Sequence, residues 1–147
     1  MITISGPTEV GKSHLLKRVK ILFETFDCSF KKKESCPDVL YIEWIEFTRK
    51  CLNDPSYVDK VKGSGLVIIE DFLSDVRVDK VNNYTEIAVA KAFEVLNGRV
   101  GKPTIIDTNK SISDFQEIDK RIYSRLFREN GLFIDIPSNT IPYLDRK

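Results

Sequence analysis

The 147 residues hold few groups that could brace a fold by covalent or metal bonds: 3 cysteines and 1 histidine. Cys28, Cys36 and Cys51 form no Cys-x-x-Cys pair, and His14 stands alone, which disfavours both a disulfide framework and a zinc site and points to a reducing cytosol. Glycine (7) and proline (6) are sparse, which excludes collagen and linker compositions. No stretch approaches the roughly 18 apolar residues of a membrane span, and Met1 to Val10 has no basic region ahead of a long apolar core, so neither a spanning helix nor a secretory leader is expected. Charge of one sign is missing too. Lys and Arg number 23 against 22 Asp and Glu, for a net charge of +1, so any contact with nucleic acid must come from a local patch. There is no internal repeat, and Lys31-Lys32-Lys33 is the only like-charge run.

The hydrophobic fraction, 41%, and the charged fraction, 31%, are those of a globular chain, and the length suits one domain that buries about two-thirds of its unfolded surface. Apolar runs rich in branched residues at Ile2–Ser5, Val39–Ile42, Leu66–Ile69, Thr104–Ile106 and Leu132–Ile136 read as strands. They lack alternation, as strands covered on both faces do. Between them lie helical periodicities. Lys12 to Phe26 carries Leu15, Val19, Leu22 and Phe26 on one face. Asn82 to Asn97 carries Val89, Phe93 and Leu96 and is closed by Gly98, and Ser113 to Glu129 carries Ile118, Ile122 and Leu126. Glu43 to Lys62 reads as two short helices broken at Pro55. Strands alternating with helices predict an α/β doubly wound domain.

Gly6-Pro7-Thr8-Glu9-Val10-Gly11-Lys12-Ser13 satisfies G-x-x-x-x-G-K-[ST] and lies between a predicted strand and a predicted helix. In that setting loop N–H groups and a helix N-terminus converge on phosphates. The glycines permit close approach, Lys12 reaches the β and γ phosphates, and the Ser13 hydroxyl can hold magnesium. With His14 beside it, this segment is the candidate ATP site. A strand-to-helix turn that binds nothing is the bland alternative.

Hydrolysis needs a carboxylate at the tip of a neighbouring buried strand to hold the cation's water shell, and often a second to polarise the attacking water. Glu70 and Asp71 end the most apolar run and are candidates for both roles, metal binding and catalysis; a merely polar strand end is the alternative. Asn109, after Lys102 to Thr108, can orient water or touch the γ phosphate, although Asn is also common in turns. Arg121, Arg125 and Arg128 share one helix face, either as a solvated basic face or as the source of an arginine finger that reaches a neighbouring subunit.

With these residues the chain resembles the AAA+ ATPases of the bacterial replicative helicase-loader group, the DnaC and DnaI type, and the transposition helper IstB. The similarity runs from Gly6–Leu15 through Leu40–Trp44, Ile68–Asp71, Asn97–Arg99 and Lys102–Asn109 to Arg121–Leu126. It implies a P-loop NTPase of the AAA+ ASCE type, with a parallel five-stranded sheet between helices and no C-terminal lid. It also implies Walker A at Gly6–Ser13, Walker B at Glu70-Asp71, sensor 1 at Asn109, and Arg125 as a finger acting in trans. ATP and Mg2+ are the implied cofactors. A replicative helicase or other replication or transposition protein, single-stranded DNA and further copies of the chain are the implied partners, in the cytoplasm.

Two departures shape the expectation. Met1 stands five residues before Gly6, so residues 1–147 are expected to be one AAA+ core domain lacking the helicase-binding module. Glu70 stands where the group has Asp, which disfavours fast hydrolysis. A catalytically weak adaptor acting by partner binding is therefore one rival. A guanylate-kinase-like nucleotide kinase is the other, opposed by the absence of a base-recognition region and of an Arg-rich lid. For DNA, Lys31–Lys33 with Phe30, Lys60 with Lys62, and Trp44 or Tyr41 as stacking platforms are the candidate contacts; for Trp44, packing in the core as the start of a helix is the stronger expectation.

Overall fold

A computed structural model describes residues 1–30, 38–76, 83–127 and 131–140. Along the chain lie β1 (Ile2–Ser5), α1 (Lys12–Phe30), β2 (Val39–Glu43), α2 (Trp44–Asn53), α3 (Tyr57–Gly63), β3 (Leu66–Glu70), α4 (Asn83–Gly98), β4 (Thr104–Thr108), α5 (Ile112–Ile118), α6 (Lys120–Phe127) and β5 (Leu132–Asp135). The strands form one five-stranded sheet in the order β2-β3-β4-β1-β5, every pairing parallel. Ile4 lies opposite Asp107, and Ile69 opposite Ile106. The C-terminal tips of β1, β4 and β3 therefore stand side by side, where ligands of open α/β sheets bind.

Each face has its own core. On one, α1 packs Leu16 and Val19 against Ile4, Leu66, Ile68, Ile105 and Tyr41. On the other, Trp44, Phe47, Phe72, Phe115, Ile122 and Leu126 join Ile42, Val67, Ile69 and Ile106. Burial on both sides explains why the central strands carry unbroken apolar runs. A buried Arg99 closes the far end of the sheet, donating to Thr104 Oγ1 (2.8 Å) and to the carbonyls of Val61 (3.0 Å), Ser64 (2.8 Å) and Pro103 (2.5 Å). It ties the end of α3 to the entries of β3 and β4.

The structure differs from the periodicity reading in three helices. The face of α1 that meets the sheet contains Lys12, Leu16 and Val19, while Leu15 and Leu22 are each 50% exposed. The helix is turned by about one residue, or 100°, because Lys12 and Ser13 are bonded toward the sheet and fix its rotation. On α4 the fully buried line is Ala88, Ala92, Val95 and Leu96, with Val89 and Phe93 at its margin. The single helix expected over Ser113 to Glu129 is two. Asp119 is extended (φ −164°, ψ 119°), ends α5, and accepts from the Arg121 N–H at 2.7 Å, so it caps the start of α6. The break at Pro55 is present between α2 and α3. Lys31–Lys33, Cys36 and Arg128 lie outside the described residues, and Cys51 is a free buried thiol. Among the described residues no helix is long and apolar enough to cross a membrane.

Candidate functional site

The loop from β1 to α1 folds back on itself. Gly6 has φ 151°, and a Cβ there would stand 2.7 Å from Ile136 Cβ; Gly11 has φ 96°. Both conformations favour glycine. Glu9, at φ 66°, completes the curl. The 6%-exposed Lys12 curls under the loop, and its Nζ donates to Gly6 O (2.9 Å), Pro7 O (2.7 Å) and Asn109 Oδ1 (2.7 Å). Burial lowers the lysine's pKa, opposed by the charges of Asp107 and Asp71. The ammonium thus sits where β1, α1 and the β4 tip meet, between loop carbonyls and the Asn109 amide.

A cleft of about 340 Å³ opens at this point, lined by Thr8, Glu9, Gly11, Lys12, Ser13, His14, Asp71 and Asn109. The structure therefore brings together the β1–α1 loop, one acid from the β3 tip and the amide from the β4 tip, although they are far apart in sequence. Pro7, Val10 and Gly6 shape the loop without lining the cleft. Asp71 reaches the cleft because the chain turns left-handed just after β3, with φ 53° at Asp71 and 57° at Leu73. Asp tolerates this region, whereas a buried Leu is rare there. The turn is stitched to β4: Phe72 N–H donates to Asp107 O at 2.9 Å, and Thr108 Oγ1 donates to Phe72 O at 3.0 Å.

Glu70 is placed differently. It is not among the residues lining the cleft. Its Oε2 accepts from the Tyr41 hydroxyl at 2.6 Å, and its Oε1 lies 3.8 Å from Lys17 Nζ. Burial, reinforced by this bond to Glu70, raises the Tyr41 pKa.

One acid in the site was not singled out from sequence. Asp107, on β4 between β1 and β3, is fully buried. Its Oδ1 accepts from the Asp71 N–H at 2.5 Å and its Oδ2 from Ser13 Oγ at 3.3 Å. Burial pushes its pKa up to about 6. The available signal was an acid placed two residues before Asn109 in an otherwise apolar strand.

The donors fit a magnesium ion carried by phosphates. Among the described residues no group of three or more His, Cys, Asp or Glu side chains converges as a metal cage. A serine hydroxyl beside carboxylates is the kind of set that holds magnesium together with phosphate oxygens.

The other candidates are dispersed. Arg121 is paired with Asp119 (2.7 Å) and lies 4.6 Å over the Phe93 ring. Arg125 donates to Asn97 Oδ1 at 2.8 Å, while its buried Nε has no partner; neither arginine lines the cleft. Trp44 is fully buried, with Nε1 bonded to Asp75 at 3.0 Å and its ring against Phe47 and Phe72. It is thus a core residue and no platform for a base. Lys62 pairs with Asp59 and Glu94, and Lys60 lies over Tyr57.

No family model matches the chain, and no curated protein matches its sequence. Solved structures match its fold. AMPPCP-bound DnaA from Aquifex aeolicus aligns with a TM-score of 0.68 at 18% identity, over 92% of this chain and 39% of that one. Domain III of the Thermotoga maritima replication initiation protein DnaA aligns at 0.69 and 19%, over 92% of this chain and 54% of that one. The Aeropyrum pernix ORC1 protein in complex with DNA aligns at 0.61 and 13%, over 95% of this chain and 40% of that one. The chain spans about two-fifths of the length of the full initiators it matches. Its fold is α/β, with a parallel five-stranded sheet among helices, and is shared with these structures.

Proposed function

We propose that this chain binds ATP with magnesium in the cleft between the β1–α1 loop and the tips of β3 and β4, and that it acts as an AAA+ ATPase in DNA replication, of the initiator or helicase-loader kind. The observation that carries this reading is the convergence of Lys12, Ser13, Asp71 and Asn109 on one cleft. The fold it shares with DnaA and ORC1 supports the replication setting. Loop N–H groups and Lys12 bind the β and γ phosphates, the Ser13 hydroxyl holds the cation, Asp71 polarises the attacking water, and Asn109 orients it. Magnesium, held there with the help of Ser13, would supply neutralisation of the phosphate charge. Arg125 is the finger acting across a subunit interface. A replicative helicase, single-stranded DNA and other copies of the chain are the proposed partners, in the cytosol.

The engagement of Glu70 by Tyr41 and Lys17 favours slow turnover, so the weak-ATPase adaptor is a second reading within the same site. The test is calorimetric ATP binding with magnesium, followed by a coupled ATPase assay with and without single-stranded DNA. Lys12→Ala should weaken ATP binding by on the order of a hundredfold or more, since it removes the buried ammonium that meets the phosphates. Equal affinity in parent and variant would show that the cleft does not bind ATP in this way.

A further inference from the structure

A carboxylate buried inside a central strand is costly unless its hydrogen bonds are made for a purpose. Asp107 is such a group. It does not line the cleft, yet both partners of its carboxylate do: the Asp71 N–H on Oδ1 at 2.5 Å and Ser13 Oγ on Oδ2 at 3.3 Å. Those partners come from different elements, the β3 tip and the first turn of α1.

The polarity of the second bond matters. A serine hydroxyl has one proton and two lone pairs. An ionised carboxylate can only accept, so the Ser13 proton points at Asp107 and the lone pairs are left to face a cation in the cleft. The first bond fixes Asp71 where the chain turns left-handed; without that turn, the side-chain alternation of the strand would carry Asp71 to the opposite face of the sheet. The other strand-tip acid is committed elsewhere, since Glu70 is held by Tyr41 and Lys17 one helical turn beyond Ser13.

We propose that Asp107 is the positioning residue of the cation site: its carboxylate orients the Ser13 hydroxyl and the Asp71 turn so that both present oxygen to the magnesium of bound Mg-ATP, the task otherwise expected of Glu70. This rests on the ATP-binding reading of the same cleft.

The test compares ATP affinity in magnesium with ATP affinity in EDTA, by calorimetry, for the parent, Asp107→Asn, Ser13→Ala, the double variant and Glu70→Gln. Asn keeps an acceptor for the Asp71 N–H but can turn its amide protons toward Ser13 and so reverse the hydroxyl. Magnesium should strengthen ATP binding to the parent. Asp107→Asn should cut that gain about tenfold and leave the EDTA affinity unchanged, a split that general loosening of the fold would not produce. Ser13→Ala should cut it equally, the double variant no further, and Glu70→Gln should keep the parent's ratio. Ser13→Ala changes a partly exposed residue of the first turn and decides the matter even if Asp107→Asn does not fold, because a parental ratio in Ser13→Ala overturns the proposal. A parental ratio in Asp107→Asn, or a lost one in Glu70→Gln, also overturns it. A parent that binds ATP with no magnesium dependence overturns it while the ATP reading stands; a parent that does not bind ATP overturns both.

Discussion

At the tip of β3 two neighbouring acids have opposite surroundings. Asp71 opens onto the cleft, and Glu70 is bonded to a phenol and faces a lysine one strand and one helical turn away. If Asp71 polarises the attacking water, Asp71→Asn should reduce turnover by about a hundredfold or more, the usual scale of a lost general base, and leave the ATP dissociation constant measured in EDTA within about threefold of the parent. Single-turnover hydrolysis beside equilibrium binding checks this, and undiminished turnover would make Asp71 a structural turn residue. The curled turn from β1 to α1 was legible in the sequence because its glycines, lysine and serine form a contiguous pattern. Asp107 was not: its neighbours Ser13 and Asp71 lie 94 and 36 positions away, and no local pattern tells which strand lies between which. Arg99 was hidden for the same reason, since its acceptors come from two separate stretches of chain.

Strands were easier to read than helices. A strand buried on both faces writes its burial into consecutive residues, as β1, β3 and β4 do; the edge strand β5 is largely exposed, yet all five runs were visible and their ends moved by only a residue or two. Helix faces depend on where the rest of the fold lies. In α1 the stripe of Leu15 and Leu22 is exposed because bonds made by Lys12 and Ser13 set the rotation. In the α5–α6 segment Ile118, Ile122 and Leu126 do share spacing four, but the competing signal was Asp119, which takes an extended conformation and caps α6. The bond and ion pair with Arg121 hold the Asp119 pKa below the ordinary carboxylate value. A depressed pKa means that the ionised form is favoured in the folded state. Its contribution to stability is therefore complete above the unfolded carboxylate pKa and is lost as the pH falls through the lower folded value. Asp119→Ala should cost about 1 kcal/mol at pH 7, the usual scale of a lost cap. The difference from the parent should shrink below about pH 4. Thermal melts of both proteins from pH 7 to pH 3 would show it, and a pH-independent difference would assign the cost to packing alone.

As a whole, the molecule supplies few positive charges for the chemistry proposed in its cleft. Among the residues lining it, Lys12 is the one lysine or arginine, and Glu9 and Asp71 are acidic, with Asp107 buried behind them. Phosphoryl transfer spreads negative charge over the transferring group, and a second cation is worth on the order of a thousandfold or more in rate. The arginines of α6 differ in how free they are to supply it. Arg121 is neutralised by Asp119, whereas Arg125 forms no ion pair among the described residues, contacts the neutral Asn97 amide and has an unpartnered Nε. If Arg125 is the finger, it can reach a neighbouring subunit by giving up one exposed hydrogen bond. Specific ATPase activity should then rise with protein concentration, and Arg125→Ala should abolish the rise while ATP affinity in the monomer stays as in the parent. Mixing Lys12→Ala with Arg125→Ala subunits should restore part of the activity, because the first supplies the guanidinium and the second an intact phosphate loop. Arg121→Ala should retain the concentration dependence. Activity independent of concentration, or no rescue under conditions where sedimentation shows the two variants associated, would leave Arg125 as a residue that joins α6 to α4 through Asn97.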